Sequence, residues 1–465
     1  MSDNSNKLPA AWTKLPIEKL FAPLEDGRVM HQGWSPQCEK EPSPSEDQWG
    51  VLRTTSIQAG EFQPEHNKLL PSKLDPRPLL EVKPGDILLT CAGPRNRCGI
   101  SCLVRNTRSR LMISGKMYRF RAKPDAIESG FLESFLQTEE AKQAIDRMKT
   151  GGSDSGLNLT HERFRQLPVP VAPLPEQRRI VAEIEKQFTR LEAGVAALRR
   201  VQANLKRYRA AVLKAACEGR LVLTEAELQK SEGRSQKSKA KFETGAELLA
   251  RILTERRQNW QGRGQYKEPV PPDSANIPPS LPEGWACASV DQITENLDGR
   301  RVPLKSADRD KRSGQYPYYG ASGIIDDIDD FLFDGEYLLI AEDGANLISR
   351  STPIAFKATG RFWVNNHAHI VQTRGGIPLA YLSIFLNGKD ISFSVTGSAQ
   401  PKLTQAALNK TPVPLPPLAE QTRIVAEVER RLSVVEELES VVTANLQRAT
   451  RLRQSILQKA FSGKL

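Results

Sequence analysis

The chain has 465 residues, with 66 Lys or Arg against 55 Asp or Glu, which gives a formal net charge of +11. No apolar run approaches the roughly 18–20 residues of a membrane span, the first residues carry no secretory segment, and six cysteines make no disulfide scaffold. These features favour a cytoplasmic protein of about two to four domains, and the positive charge suits a polyanionic partner such as nucleic acid.

Residues 1–172 read as a first globular domain with mixed α/β structure. Strand-like runs are GDILLT at 85–90, GISCLV at 99–104 and LMISGKMYRFRA at 111–122. A helix-like segment, FLESFLQTEEAKQAIDRM, follows at 131–148. Cys91, Cys98 and Cys102 lie close together, but they lack a C-x-x-C pair and a nearby fourth ligand. Small hydrophobic side chains in strands explain them better than a metal site does.

Several polar side chains in this first region are candidates for contacts with nucleic acid. Arg and Lys pair with guanine edges or phosphates, and Asn pairs with adenine. An ordinary surface loop or a buried strand is the alternative at each position. Small residues near 150–160 would let a backbone approach a phosphate, although a structural turn explains them equally well. The candidates are Arg95, Asn96, Arg97, Lys116, Tyr118, Arg119, Ser153 and Asn158.

Residues 173–221 form a long amphipathic helix in this interpretation. Pro175 suits the first turn, Glu176 complements the helix dipole there, and Gly219 ends the helix. The apolar positions follow a coiled-coil spacing over about 44 residues, or ~65 Å. They are Ile184, Phe188, Leu191, Val195, Leu198, Leu205 and Val212.

Residues 222–280 are expected to be a linker. It begins with the polar, basic run QKSEGRSQKSKAKFE, which we interpret as a solvated tether. A short amphipathic helix follows, with Leu248, Leu249, Ile252, Leu253 and Trp260 on one side. The proline-rich stretch KEPVPPDSANIPPS then reads as a spacer before the second globular region.

Residues 281–416 read as a second mixed α/β domain. The strand-like runs are EYLLIAE at 336–342, RFWVNNHAHIV at 361–371 and ISFSV at 391–395. Exposed loops again carry planar groups and hydrogen-bond donors suited to nucleic acid. The residues around 396–404 correspond to those around 150–160 in the first half. The candidates here are Tyr318, Tyr319, Ser322, Asn346, Asn366, His367, Ser398, Gln400 and Lys402.

His367 and His369 also permit a different interpretation. Alternate positions of a strand place both imidazoles on one face, an arrangement that can bind a metal. A polar surface that reads a ligand is the preferred interpretation, and we predict no metal site.

An internal repeat relates the two halves of the chain. Residues 168–221 align with 412–465 at an offset of 244, without a gap, and 20 of the 54 positions are identical. Residues 417–465 therefore form a second long helix, ended by Gly463. The motif L-P-x-x-W opens both halves, at Trp12 and at Trp285. The apolar positions of the second helix share the register of the first: Val428, Leu432, Val435, Val442, Leu446 and Ile456.

The matched register predicts that the two helices pack on each other as an antiparallel coiled coil with pseudo-two-fold symmetry. The alternative is that each helix packs only on its own globular domain. The bodies of the two globular regions show no convincing sequence similarity. The expected fold class is α+β, with two mixed α/β domains separated by two long helices.

Catalytic signatures are not evident. The chain has no Walker A sequence, no glycine-rich dinucleotide fingerprint, and no N-P-P-aromatic tetrapeptide of amino-methyltransferases. It also has no G-x-S-x-G elbow and no H-E-x-x-H helix. The sequence therefore favours a binding protein without a catalytic centre of its own.

The strings PLPPLAEQ, RIVAEVE and the terminal AFSGKL resemble the specificity subunit of type I restriction–modification enzymes. The resemblance covers essentially the whole chain. YYGASGIIDDID, AEDGANL and WVNNHAHIV are similar to one recurring type of target-recognition domain in that family, though they are less specific than the helix signature.

This resemblance implies a non-catalytic DNA-binding subunit. Each target-recognition domain would read one half of a bipartite site in double-stranded DNA, and the coiled coil would fix the unread spacer. Two methyltransferase subunits would dock and methylate adenine N6, and two restriction (nuclease/translocase) subunits would cleave unmodified DNA. The family places S-adenosylmethionine, ATP and Mg²⁺ on the partner subunits and none on this chain.

Two other hypotheses belong to different classes. One is a coiled-coil assembly scaffold whose globular ends bind proteins, which would lack salt-dependent DNA binding. The other is an enzyme with an unrecognised site at His367 and His369.

Overall fold

A computed structural model describes residues 8–231, 242–262, 264–397 and 400–465. The chain divides into two compact units. Unit 1 contains Met1–Arg199 and Thr443–Leu465, and unit 2 contains Arg200–Val442. Each unit therefore combines one globular region with a segment of both long helices.

Unit 1 is built mainly from short strands. They are β1 (Thr13–Pro16), β2 (Phe21–Ala22), β3 (Met30–Gln32), β4 (Gly50–Leu52), β5 (Ile57–Gln58), β6 (Glu61–Phe62), β7 (Asn67–Leu69), β8 (Asp86–Thr90), β9 (Ala92–Gly93), β10 (Ser101–Leu103), β11 (Leu111–Met112), β12 (Met117–Ala122), β13 (Leu157–Asn158) and β14 (Pro168–Val171). Its helices are α1 (Ser129–Leu136), α2 (Glu139–Met148), α3 (His161–Arg165) and the long α4 (Leu174–Cys217), which continues into unit 2.

The main sheet of unit 1 is antiparallel and has the strand order β10-β8-β12-β2, with β3 also paired to β12. Strand β8 is buried along its whole length, as expected for a central strand bounded by neighbours on both sides. A smaller sheet has the order β11-β4-β7. Strands β1 and β14 pair with each other and lead the chain into α4.

Unit 2 is organised around longer strands. They are β15 (Ala286–Ser289), β16 (Thr294–Asn296), β17 (Ser313–Gly320), β18 (Gly323–Ile328), β19 (Phe333–Ala341), β20 (Ala355–Val364), β21 (Ala368–Thr373) and β22 (Pro412–Leu415). Its helices are α5 (Glu225–Ser231), α6 (Gly245–Gln258), α7 (Val290–Ile293), α8 (Ser306–Arg309), α9 (Asn346–Ser349), α10 (Leu379–Gly388), α11 (Gln405–Lys410) and the long α12 (Leu418–Phe461), which continues into unit 1.

The main sheet of unit 2 has the order β16-β21-β19-β20-β17-β18, with only β17 and β20 parallel. Strands β15 and β22 pair in front of α12 as β1 and β14 do in front of α4. The internal repeat in the sequence is therefore also a structural repeat: a tryptophan, a two-stranded ribbon and a long helix.

The two long helices pack on each other antiparallel within each unit. In unit 1, Ile184 and Phe188 of α4 share a hydrophobic core with Ile456 and Phe461 of α12. In unit 2, Arg209 of α4 pairs with Glu439 of α12, and their Nη2 and Oε2 atoms are 3.2 Å apart. Every predicted seam position is buried or half-buried. The α+β class and the coiled-coil prediction are confirmed.

Both helices end as the sequence predicts. Gly219 and Gly463 follow the last helical turns with φ of +68° and +70°, a conformation that glycine adopts without strain. Gly463 approaches Pro9 in unit 1, and Gly219 approaches Pro282 and Trp285 in unit 2. Each helix end therefore packs on the L-P-x-x-W motif of the globular region in its own unit.

The second half of the expected linker is an integral part of unit 2. Helix α6 buries Leu248 and Ile252 in the core and starts with a capping box between Thr244 and Glu247. The amide of Val270 donates to Asp291 Oδ2 at 2.8 Å, so the proline-rich stretch is also held to the domain. The predicted α6 is correct except for Trp260, which lies beyond the helix and is 47% exposed. Most of the basic run, residues 232–241, lies outside the described residues.

Two local predictions are wrong. ISFSV at 391–395 contains a 3₁₀ turn, Ser392–Ser394, and no strand, because Asp390 accepts the amide of Ser392 and starts a turn. The single helix expected at 131–148 is two helices, α1 and α2. Thr138 separates them because its hydroxyl accepts the amide of Ala141 and caps α2.

Among the described helices, none is both long enough and apolar enough to cross a membrane.

We expect Phe461→Ala to lower the stability of unit 1 by about 3 kcal/mol, because it removes a buried ring from a tight core. The Phe461 ring lies 4.8 Å from Phe131 and 5.6 Å from Phe135, centroid to centroid. Native-state hydrogen exchange in α1 measures the loss. The matched control on the same helix is Leu452→Ala, whose side chain is 48% exposed and whose removal should cost at most about 0.5 kcal/mol. Equal effects of the two substitutions would contradict the packing described here.

Candidate nucleic-acid interface

Each unit closes a loop in front of its long helix with the same pair of main-chain hydrogen bonds. In unit 1, Thr150 and Asn158 exchange their amide–carbonyl bonds at 2.8 and 2.7 Å. In unit 2, Thr396 and Lys402 do the same at 2.8 and 2.7 Å. We call residues 150–158 and 396–402 the junction loops.

Each junction loop is joined to a second loop, which follows a central strand of the main sheet. We call residues 91–97, after β8, and residues 342–346, after β19, the strand-end loops. The amide of Leu159 donates to the main-chain carbonyl of Cys91 at 2.8 Å, and the amide of Leu403 donates to the main-chain carbonyl of Glu342 at 2.7 Å. Gly93 and Gly344 take the third position of each loop with φ of +140° and +111°.

A buried side chain from the neighbouring strand anchors each junction loop. In unit 1 the hydroxyl of Tyr118 donates to the carbonyl of Leu159 at 2.6 Å. In unit 2 the Nε2 atom of His369 contacts the carbonyl of Leu403 at 2.7 Å. Thr160 and Thr404 then cap the short helices α3 and α11. The two globular regions thus share one local frame built on different side chains.

The frame also places two exposed side chains at equivalent positions. The amide of Cys91 donates to the carbonyl of Lys116, and the amide of Glu342 donates to the carbonyl of His367, both at 2.9 Å. Lys116 and His367 are exposed beside their strand-end loops. Sequence comparison missed this correspondence, although LLTCAG at 88–93 and LIAEDG at 339–344 carry its only signal, a shared leucine and glycine.

Most of the predicted contact residues are exposed, and all of these except Ser322, which lies in the turn between β17 and β18, belong to these loops or to positions close to them in the fold. They present amide, ammonium, imidazole, guanidinium and hydroxyl donors to solvent. Arg95 is held in place by two carboxylates, with Nη1 2.7 Å from Asp146 and Nε 3.1 Å from Asp154. Lys402 Nζ lies 3.2 Å from Glu342. The exposed candidates are Arg95, Asn96, Lys116, Ser153 and Asn158 in unit 1, and Ser322, Asn366, His367, Gln400 and Lys402 in unit 2.

Burial removes three residues from the predicted contact set. Tyr118 is 2% exposed, Arg119 is 1% exposed and Tyr318 is 0% exposed. Arg119 is the centre of a buried ion-pair network, with Nη1 3.1 Å from Asp86 and Nη2 3.3 Å from Glu25. Tyr118 and Arg119 are consecutive in β12 and point to opposite faces, and both are buried because β12 is covered on both faces. The sequence of a single strand does not show how many of its faces are covered.

Three further candidates are partly buried and make structural contacts. Arg97 Nη2 donates to the carbonyl of Ile57 at 2.8 Å and so fixes the strand-end loop to β5. Asn346 Oδ1 accepts the amide of Thr352 at 3.0 Å. Tyr319 packs against Phe362, with ring centroids 5.5 Å apart. Ser398 lies outside the described residues.

An ionic cluster lies directly beneath the two loops of unit 2. His369 Nδ1 is 2.6 Å from Asp298, and Arg301 Nη1 is 2.8 Å from Glu342. Both nitrogens of His369 lie within hydrogen-bond distance of oxygen atoms, Nδ1 of Asp298 and Nε2 of the Leu403 carbonyl. The four side chains are each at most 13% exposed. Their opposite charges satisfy one another, which is the condition for burying them.

The carboxylates of this cluster are stabilised as anions. Burial alone would raise the pKa of Asp298, but hydrogen bonds from His369 and from the amide of Ile370, together with the nearby Arg301 charge, hold it below the ordinary 3.8. Burial likewise opposes ionisation of Glu342, and Arg301, His369 and Lys402 together lower its pKa. The cluster fixes the strand-end loop of unit 2 at its first residue.

The arrangement does not bring the two histidines together as ligands of one metal. His367 Nδ1 contacts Asp343 at 2.8 Å, whereas both nitrogens of the buried His369 are engaged by Asp298 and Leu403. Asp298, Glu342 and His369 have ligand atoms within 4.8 Å of one another. Arg301 pairs with both carboxylates of this group, at 3.4 Å from Asp298 and 2.8 Å from Glu342.

The three clustered cysteines are also structural. Cys91, Cys98 and Cys102 are buried free thiols. Burial raises the pKa of Cys91 to about 12 and also raises that of Cys98 and Cys102, so all three stay protonated.

We expect Asp298→Asn to destabilise unit 2 by roughly 3 kcal/mol at pH 7, because it leaves His369 and Arg301 buried without their partner. The folded pKa of Asp298 is below its ordinary value, so the ionised group adds stability above pH 3.8 and loses it as the pH falls. The gap between wild type and variant should therefore close in acid. Exchange of the Ile370 amide, which donates to Asp298 at 2.9 Å, reports the change.

Asp334→Asn is the control, since it removes one partner of an exposed pair with Arg361 and should change stability by at most about 0.5 kcal/mol. A gap between wild type and Asp298→Asn that stays constant down to pH 2 would contradict the proposed charge state of the cluster.

The comparisons with known proteins agree with this architecture. Residues 282–440 match the family described as "Type I restriction modification DNA specificity domain". The type I restriction enzyme EcoEI specificity subunit of Escherichia coli is 40% identical over 182 residues, which are 39% of this chain and only 30% of that relative. The EcoKI specificity subunit of Escherichia coli strain K12 is 24% identical over 476 residues, covering 99% of this chain and 91% of the relative.

A solved structure agrees at the level of the fold. It concerns complex assembly and conformational transition of the type I R-M system, and one of its chains matches with a TM-score of 0.63 and 18% identity. The match covers 99% of this chain and 100% of the other. These matches identify residues 282–440 as similar to the type I restriction modification DNA specificity domain, and the repeated helices and paired loop frames accompany a similarity to type I specificity subunits over nearly the whole chain.

Proposed function

We propose that this chain recognises a bipartite sequence in double-stranded DNA, with one half read by each unit. One observation carries the proposal: the two units build the same pair of loops on the same main-chain frame, but expose different side chains there. A shared frame with different side chains is what two readers of different half-sites need.

The chemistry of the exposed side chains supports base and phosphate contacts. Arg95 and Lys116 of unit 1 and Lys402 of unit 2 are cations suited to phosphates or guanine, and Asn96 and Asn366 are suited to adenine. The net charge of +11 adds a general attraction to DNA. The small residues of the junction loops give main-chain amides access to a phosphate.

The organisation of the chain follows from this assignment. Residues 1–172 and 281–416 would be the two target-recognition domains, and 173–221 and 417–465 the repeated helical regions. Residues 222–280 connect the first helical region to the second recognition domain, and those that the structure describes belong to unit 2. The antiparallel seam would set the number of base pairs between the half-sites.

We further propose that the chain itself is non-catalytic. Two methyltransferase subunits would dock and transfer a methyl group from S-adenosylmethionine to adenine N6 in the cytoplasm. Two restriction subunits would cleave unmodified DNA with ATP and Mg²⁺. These cofactors would be held by the partners, in agreement with the missing catalytic signatures in this sequence.

The direct test is single-molecule modified-base sequencing of a host that expresses this chain together with a type I methyltransferase subunit with which it forms a complex. We expect a new bipartite N6-methyladenine motif that is missing from the same host without this chain. The control replaces residues 281–416 with those of a relative, which should change one half-site and leave the other intact. No new motif from a soluble, associated complex, or a change in both halves after the replacement, would overturn the proposal.

The helices provide a second prediction. Four residues add about one helical turn, or ~5.4 Å, which exceeds the ~3.4 Å rise of a base pair. Inserting four residues near Leu198 should therefore change the length of the unread spacer and preserve both half-sites. The same sequencing reads out the result. An unchanged spacer in an active variant would show that the helices do not measure it.

A further inference from the structure

The start of α12 holds a docked segment of the chain. Arg423 binds the residues that begin α5: Nη1 pairs with the carboxylate of Glu225, and Nη2 donates to the carbonyl of Leu223 at 3.2 Å. The amide of Glu225 in turn donates to Glu420 Oε2 at 3.1 Å. Glu420 and Arg423 thus bind the N-terminus of α5 through three groups of the docked segment: one amide, one carbonyl and one carboxylate.

The docked helix has a matching local structure. Thr224 caps it, since its hydroxyl accepts the amide of Glu227 at 3.2 Å and its own amide donates to Glu227 Oε2 at 2.8 Å. The cap leaves the amide and side chain of Glu225 available to α12. Glu420, which contacts both the docked segment and Trp285, is 0% exposed, and burial raises the pKa of this carboxyl.

The other long helix carries the same pair at the same repeat positions. Glu176 and Arg179 of α4 correspond to Glu420 and Arg423 at the offset of 244 residues. Trp12 Nε1 donates to Glu176 Oε1 at 3.2 Å, as Trp285 Nε1 donates to Glu420 Oε1 at 2.9 Å. The tryptophan half of the site is therefore built alike in both units.

The helix-binding half of this second site is open. Glu176 is only partly buried and Arg179 is exposed. Within residues 8–231, 242–262, 264–397 and 400–465, no hydrogen bond or ion pair engages Arg179 or the second carboxylate oxygen of Glu176. The neighbouring Arg178 is different, because its Nε donates to Glu128 at 2.7 Å.

We propose that Glu176 and Arg179 bind the N-terminus of a helix supplied by a partner protein, one that begins with a capping Thr or Ser followed by Glu. Arg179 takes the glutamate carboxylate and the preceding carbonyl, and Glu176 takes the first amide. Residues 223–227 show this chemistry in place at the equivalent pair, which identifies the occupant by its charge and its cap. The proposal stands on the repeat and is independent of DNA reading.

The site can be tested in the full-length chain by supplying the occupant. Leu465 is the repeat equivalent of Leu221, so a copy of residues 222–231 appended after Leu465 starts where the natural segment starts. We expect the appended helix to dock and the exchange of its amides to slow at least tenfold, as measured by hydrogen-exchange mass spectrometry. Arg179→Ala should abolish this protection, and Arg178→Ala should preserve it.

Two results would overturn the proposal. One is unprotected exchange of the appended amides in the wild-type background, and the other is protection that survives Arg179→Ala. Arg423→Ala provides an internal check on the equivalent site in unit 2, since it should speed amide hydrogen exchange in Glu225–Ser231. Unchanged exchange there would remove the basis for the comparison.

The source of the natural occupant is tested in the assembled complex. A photoreactive amino acid in place of Arg178 should cross-link to the methyltransferase subunit at a helix N-terminus with the stated sequence. Cross-links only to residues 223–231 of a second copy of this chain, or none in an intact complex, would refute a partner protein as the occupant. Because this experiment needs no DNA, its failure is distinguishable from a failure of sequence recognition.

Discussion

The apolar seam between the two long helices is the constraint on which the rest of the structure depends. Each helix is charged over most of its surface and has only a narrow apolar stripe, so neither is stable without the other. In unit 1 the seam continues through Phe461 into the core around Trp12 and Phe131. In unit 2 it continues through Val212 and Ile424 into the core beneath α10. Helix pairing and domain folding are therefore one cooperative event within each unit.

Main-chain hydrogen bonds define the surface proposed to read DNA. The junction loop and the strand-end loop are joined by amide–carbonyl bonds in both units, and one buried side chain anchors the arrangement. Tyr118 and His369 perform this role with different chemistry. The His369 anchor lies in an ionic cluster with Asp298, Glu342 and Arg301, whereas the tyrosine hydroxyl binds its carbonyl without an ionic partner. A common frame thus tolerates two quite different cores.

The sequence predicts those features that follow from periodicity and repetition. The seam residues, the glycine helix ends and the paired half-units all appear in the one-dimensional pattern. Prediction from the sequence fails where the role of a residue depends on the direction of its side chain. Arg119 looks like a DNA contact in MYRFRA, but the partners that bury it, Glu25 and Asp86, come from distant strands. The shared loop frame escapes sequence comparison because main-chain bonds leave almost no trace in residue identity.

That last property affects how such a protein can change over generations. Since the frame is held by backbone atoms and by a few residues beneath it, the exposed side chains around it contribute little to the stability of the fold. Lys116 and His367 occupy equivalent places without resembling each other. Mutations at the surface can therefore accumulate while the scaffold stays intact. Under the proposed function, the two units can change independently, so one inherited architecture would support many combinations of half-sites.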